Sequence, residues 1–198
     1  MTLQKTILAI ALAYLVGSIP TALIYSRLAH GADIRALGDG NMGARNSKRV
    51  FGWRGGVLVA LADILKGALA ILFAQELGQS QPWQMVCGAF VILGHDFPLF
   101  ARLKGGQGFA ATTGVFLGLF PLVTLVGTLI YFVIFFATRN SDLAAGVGMG
   151  LIWLAQIISG QPLYVILFIV GVLLFIPLKK WLDRARAAAI AAESPRHA

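Results

Sequence analysis

The sequence predicts an all-α integral membrane bundle of about seven transmembrane segments, with the N-terminus outside and the C-terminus cytoplasmic. Three observations carry that expectation. First, 58% of the 198 residues are hydrophobic and only 12% are charged, a balance foreign to soluble domains. Second, the apolar residues gather in runs of the length needed to cross a hydrocarbon core, about 20 residues. Third, the cations collect between those runs, as the positive-inside rule requires. The net charge of +8 therefore marks basic loops facing an anionic leaflet or an anionic substrate rather than a nucleic-acid partner. The single cysteine, Cys87, rules out an internal disulfide framework and a multi-cysteine metal site, and reads as a small packing residue.

One membrane domain is expected over residues 1–198, in seven segments. In segment 3–25, Lys5 precedes the run Ile7–Val16 as in a signal peptide, but no convincing small-residue cleavage site follows, so it reads as a retained helix. Pro20 removes a backbone donor, so this helix is expected to loosen near Gly17–Pro20. Such irregular backbone survives at membrane depth only if it is buried in protein or lines a cavity. Residues 26–54 form a basic loop. Segments 55–75 and 83–101 come next, then a turn running from Arg102 to Gly108.

Residues 109–137 are too long for one upright crossing, about 43 Å against a core of roughly 30 Å. Charge decides between one tilted crossing and two short ones. With two, at 109–119 and 121–137, the loops and the tail share one side. That side then holds 14 of the 16 Lys and Arg residues, all but Lys5 and Lys66. Segments 143–159 and 162–178 complete the bundle. The tail 179–198 reads as a basic extension along the interface, anchored by Trp181.

Chemistry is expected at two glycine-rich basic turns. The first sets Gly38, Gly40 and Gly43 around Asn41, followed by Arg45, Lys48 and Arg49. Successive N–H groups in such a turn can form an anion-binding nest, and the cations beside it suit a phosphate. A basic loop that only fixes membrane orientation is the plainer alternative. The second turn, Lys104-Gly105-Gly106-Gln107-Gly108, opens a helix whose N-terminus favours an anion. His95 precedes it by nine residues. Asp63 and Lys66 stand three apart on one helix face and read as a self-neutralising structural ion pair.

Four stretches carry a specific resemblance. They are Gly17–Thr21; Asp33 to Asn46; Asp63-Ile64-Leu65-Lys66-Gly67; and Gly94-His95 through Phe97-Pro98 and Phe100 into Lys104–Gly108. In order and spacing the chain resembles the bacterial PlsY-type glycerol-3-phosphate acyltransferases, which use acyl phosphate as donor. The resemblance implies a seven-helix bundle in the bacterial inner membrane with a cytoplasm-facing site. There the hydroxyl of glycerol 3-phosphate attacks acyl phosphate, giving lysophosphatidic acid and phosphate for phospholipid synthesis. The partners implied are those two substrates and membrane lipid.

Physical chemistry fits this reaction. Acyl phosphate is already activated, so no acyl-enzyme and no Gly-x-Ser-x-Gly nucleophile is needed. Two phosphates and an oxyanion call for backbone N–H groups, Arg and Lys. His95 is the candidate catalytic residue, orienting the hydroxyl or acting as base, a role a substrate phosphate oxygen can share. The candidate phosphate-binding set is Arg35, Gly38, Asp39, Gly40, Asn41, Arg45, Asn46, Arg49, Lys104, Gly105, Gly106, Gln107 and Gly108. No cofactor or metal is expected, because no carboxylate–histidine cluster with ligand spacing occurs.

The chain departs from the family pattern at five places. Asp39 replaces a serine, Arg45 a threonine, Gln107 a lysine and Asp142 a serine, and the family's His and Asn after the last helix have no evident counterpart in Lys179–Arg186. Asp39 and Asp142 would repel phosphate at close range, while Arg45 is placed to pair with Asp39. These changes raise the alternative of a family member that binds lipid or acylates another acceptor. A small transporter, suggested by Asp63, Lys66 and the broken first helix, ranks behind it.

Overall fold

The computed structural model describes residues 2–193, and the basic tail beyond Glu193 lies outside the described residues. All regular structure described is helical. The first segment is two helices, α1 (Leu3–Gly17) and α2 (Thr21–His30), interrupted as expected at Ser18–Pro20. α3 (Ala44–Glu76) begins eleven residues earlier than the hydropathy indicates. Its polar first stretch is helical up to Gly52, whose φ of 74° bends the chain before the apolar part. α4 (Gln81–Asp96) stops short of Ala101, because Pro98 disfavours helical geometry at Phe97. A 3-10 turn at Leu99–Ala101 carries the chain on.

α5 (Phe109–Leu119) and α6 (Pro121–Thr138) are separate helices. The chain reverses at Phe120, and Pro121 starts the second helix at the position where its missing N–H costs nothing. α7 (Ser141–Ile158) is capped by Asn140, whose Oδ1 accepts from the N–H groups of Asp142 and Leu143. α8 (Leu163–Leu182) runs four residues past the expected end, and α9 (Arg184–Glu193) follows.

Six described stretches are long and apolar enough to cross a membrane, and α5 is the short seventh segment. Its 11 residues reach only about 16 Å, half of a hydrocarbon core. α5 is accordingly buried in protein, with Ala111, Thr112, Val115 and Phe116 at 0% exposure.

Small residues let the helices approach. A Cβ at Gly67 would collide with the Ala111 carbonyl, and one at Gly114 with the Ile64 carbonyl, so α3 and α5 cross backbone to backbone. Gly17 and Gly94 do the same for α1 and α4. The main apolar core joins Val91, Ile71, Val115, Phe116, Ile152 and Ile169 across five helices.

The polar loops meet at one end of the bundle. Met42 N–H donates to the Gly105 carbonyl (3.4 Å), joining the two glycine-rich turns. Ile190 of α9 packs over Gly40, where any side chain would displace it. Lys179 sits above the Phe97 ring, 5.1 Å from its centroid.

Candidate active site

The break between α1 and α2 is filled by charge. The helix ladder lapses at Ser18–Pro20, where the Ile19 carbonyl accepts both the Thr21 N–H (3.0 Å) and Lys66 Nζ (3.2 Å). Thr21 Oγ1 donates to Asp63 Oδ1 at 2.6 Å, and Lys66 Nζ lies 2.9 Å from the same oxygen. The expected ion pair is thus present in the structure, with a third member: His95 Nδ1 stands 3.4 Å from Asp63 Oδ1. All three side chains are at least nine-tenths buried.

This geometry sets the histidine. A carboxylate facing Nδ1 favours the tautomer with its proton there, which leaves Nε2 as the lone-pair nitrogen. Nε2 faces Gly106, where any Cβ would strike the ring. Gly106 N–H donates back to the His95 carbonyl (3.1 Å), so the second turn wraps the imidazole and must be glycine there.

His95 and Asp63 reach the wall of a cleft of about 390 Å³ between α3, α5, α6 and α7. One part of its lining is apolar, including Leu61, Ile64, Phe109, Phe132 and Ile152; the other includes Asn41, Arg45, Lys48, Asp142 and Lys180. Gln107 and Gly108 line it together with Phe109 and Ala110 at the start of α5. The first N–H groups of a helix have no intrahelical acceptor and carry its positive end. Two buried atoms on this wall, Asp63 Oδ2 and Asn41 Nδ2, meet no hydrogen-bond partner among the described residues.

Of the expected phosphate-binding residues, Asn41, Arg45, Gln107 and Gly108 line the cleft. The others shape the turns. Asn46, fully buried, donates to the carbonyls of Leu37 and Asn41 (2.9 and 3.0 Å) and accepts from Asp39 N–H (3.1 Å). Gly38 lies directly against this amide. Arg35 forms a two-toothed pair with Asp33 (2.9 and 2.6 Å), which holds the Asp33 carboxyl below, and the guanidinium above, their ordinary values. Lys104 is exposed and away from the cleft lining, while Gly105 is buried beneath it.

The acid at position 39 differs from its expected role. Asp39 pairs with Arg49 (2.8 Å), not with Arg45, and its Oδ1 accepts the Asn41 N–H (3.1 Å). Neither Asp39 nor Arg49 lines the cleft. Arg45 instead meets Asp142 Oδ1 at 2.6 Å, and Lys180 meets Asp142 Oδ2 at 2.6 Å. Sequence reasoning placed Lys180 in a membrane anchor, because a lysine ending an apolar helix normally snorkels. Lys48 stacks over Trp53 at 3.6 Å. Among the described residues no group of three His, Cys, Asp or Glu side chains converges on a metal-sized site.

Comparison with known proteins agrees with this architecture. The family model for glycerol-3-phosphate acyltransferase matches residues 7–188. Glycerol-3-phosphate acyltransferase 2 of Bacillus anthracis is 42% identical over 171 residues, 83% of this chain and 89% of that protein. The glycerol-3-phosphate acyltransferase of Geobacter sulfurreducens is 45% identical over 130 residues, 66% of each. Two crystal structures of the integral membrane enzyme PlsY superpose on 93% of the chain and 92% of theirs. The glycerol 3-phosphate form gives a TM-score of 0.82 at 31% identity, the lysophosphatidic acid form 0.79 at 29%. With a matching family model over most of its length and a helix bundle of the same shape, the chain belongs to the glycerol-3-phosphate acyltransferase family.

Proposed function

We propose that this chain acylates glycerol 3-phosphate for phospholipid synthesis, and that acyl phosphate is the donor. The observation that carries the reading is the mixed lining of one cleft, where cations and the start of α5 stand with many apolar side chains and His95. A lipid chain fits the apolar side chains and two phosphates fit the cations. The polar end then faces the cytoplasm of a bacterial inner membrane, the side that the positive-inside rule gives to these loops.

In the reaction, the glycerol hydroxyl oxygen bonds to the acyl carbonyl carbon, and the carbon–oxygen bond to phosphate breaks. Phosphate leaves with the electron pair. The hydroxyl proton passes to His95 Nε2 or to a phosphate oxygen, and Asp63 stabilises an imidazolium at Nδ1. The N–H groups opening α5 face the developing oxyanion. Asn41, Arg45, Gln107 and Gly108 contact phosphate. Arg35, Gly38, Asp39, Gly40, Asn46, Arg49, Lys104, Gly105 and Gly106 hold the turns in place.

The test is phosphate release by purified protein from palmitoyl phosphate and glycerol 3-phosphate. Release that depends on the acceptor and yields lysophosphatidic acid is expected. No turnover above background with acyl phosphates of any length would overturn the reading.

A further inference from the structure

The carboxylate of Asp142 is held as a substrate anion would be held. Each of its oxygens meets a different cation at 2.6 Å, Arg45 from the start of α3 and Lys180 from the end of α8. All three residues line the cleft, and Lys48 lines it beside them. A carboxylate bridging two charged donors from separate helices uses the contacts that a phosphate would use.

We propose that Asp142 is an internal anion that occupies the phosphate-binding cations of the cleft, and that a substrate phosphate must displace it. Asp142 thereby sets the phosphate affinity of this chain. The proposal rests on the reading of Arg45 as a phosphate ligand.

Two features make displacement cheap. The pairs are solvent-exposed, with side-chain exposures of 45% for Arg45, 58% for Asp142 and 40% for Lys180, and exposed pairs hold weakly. Asp142 also stands in the first turn of α7, two residues after the capping Asn140. A carboxylate there keeps a favourable interaction with the helix N-terminus after it leaves its two cations. Asp39 offers a contrast. It too joins a cation, but outside the cleft lining, so no ligand competes with it there.

Calorimetric titration of the full-length protein in detergent with glycerol 3-phosphate, and separately with inorganic phosphate, tests this without a donor present. Asp142→Asn and Asp142→Ser are each expected to tighten binding about 3- to 10-fold, the scale of one or two exposed ion pairs. Adding Arg45→Gln to Asp142→Asn is expected to cancel the gain. The two single variants differ in helix-capping preference, so a folding defect in one leaves the other to decide. Unchanged or weakened binding in the folded variants, or no binding by any of the proteins, overturns the proposal. Tightened binding without turnover by the parent overturns the acyl-transfer reading alone. Turnover with unchanged binding overturns only the displacement.

Discussion

The two glycine-rich turns at the polar end of the bundle use their glycines differently. In the first, the loop supplies its own counter-charges: Arg35 is paired with Asp33, Arg49 with Asp39, and the Asn46 amide ties the strand of loop on both sides. Both of its acids, Asp33 and Asp39, are spent on its own cations. In the second, Gly105, Gly106 and Gly108 are buried, and Gly106 admits the His95 ring. The first turn is an internally braced scaffold that carries Asn41 and Arg45 to the cleft. The second is a sleeve around the His95 ring. A basic, glycine-rich composition thus says little about which turn touches the ligand.

Substitutions can break this contrast. Gly106→Ala has the largest expected effect, because the new methyl strikes the imidazole: turnover should fall about 10²- to 10⁴-fold, the usual worth of a positioned base. A loss below threefold with normal folding would sink the sleeve. Asp63→Asn leaves Lys66 buried with a neutral neighbour, and removing one partner of a buried pair costs roughly 3–5 kcal/mol. Thermal unfolding in detergent should show a clear drop in Tm together with lost turnover.

Smaller changes are expected in the first turn. Asn46→Ala removes three hydrogen bonds and leaves buried carbonyls unmet, costing about 1–3 kcal/mol. Its KM for glycerol 3-phosphate should rise while kcat stays within a few-fold, and a selective kcat loss would contradict a scaffold role. Asp39→Ser should change KM by no more than about twofold, since exposed pairs contribute little. A tenfold gain in affinity would put Asp39 in the phosphate site after all.

The smallest effect concerns acid. Arg35 depresses the Asp33 pKa from an ordinary 3.8, so the pair's contribution is complete above that value and fades only as pH falls through the lower folded one. The stability difference between the parent and Asp33→Asn should therefore be flat from pH 5 to pH 8, and a slope in that window would refute the pairing.

Much of the fold was readable because membrane helices announce themselves by hydropathy. The reversal at Phe120 followed from run length and charge parity, and Pro121 marked it. The helical stretch Ala44–Phe51 was hidden, since Arg45, Asn46, Lys48 and Arg49 look like loop and no apolar face betrays a polar helix. His95 and the second turn were found from their proximity in sequence. Lys180 was not, because its partner Asp142 lies 38 residues away on another helix and a lysine at a helix end has a simpler explanation. The His95–Asp63 contact was equally invisible: spacing showed Asp63 its neighbour Lys66 and nothing beyond its own helix.

The broken first helix has a consequence for biogenesis. The Ile19 carbonyl and the Thr21 hydroxyl precede Asp63 and Lys66 in the chain, and they are the groups that receive these two charges. As the polypeptide leaves the insertion machinery from its N-terminus, the docking place for the charged segment is made before that segment arrives. His95 comes later still, to a carboxylate already lodged. Translation order and electrostatic need thus run in the same direction, which spares the nascent chain a spell with an undocked ion pair in the bilayer.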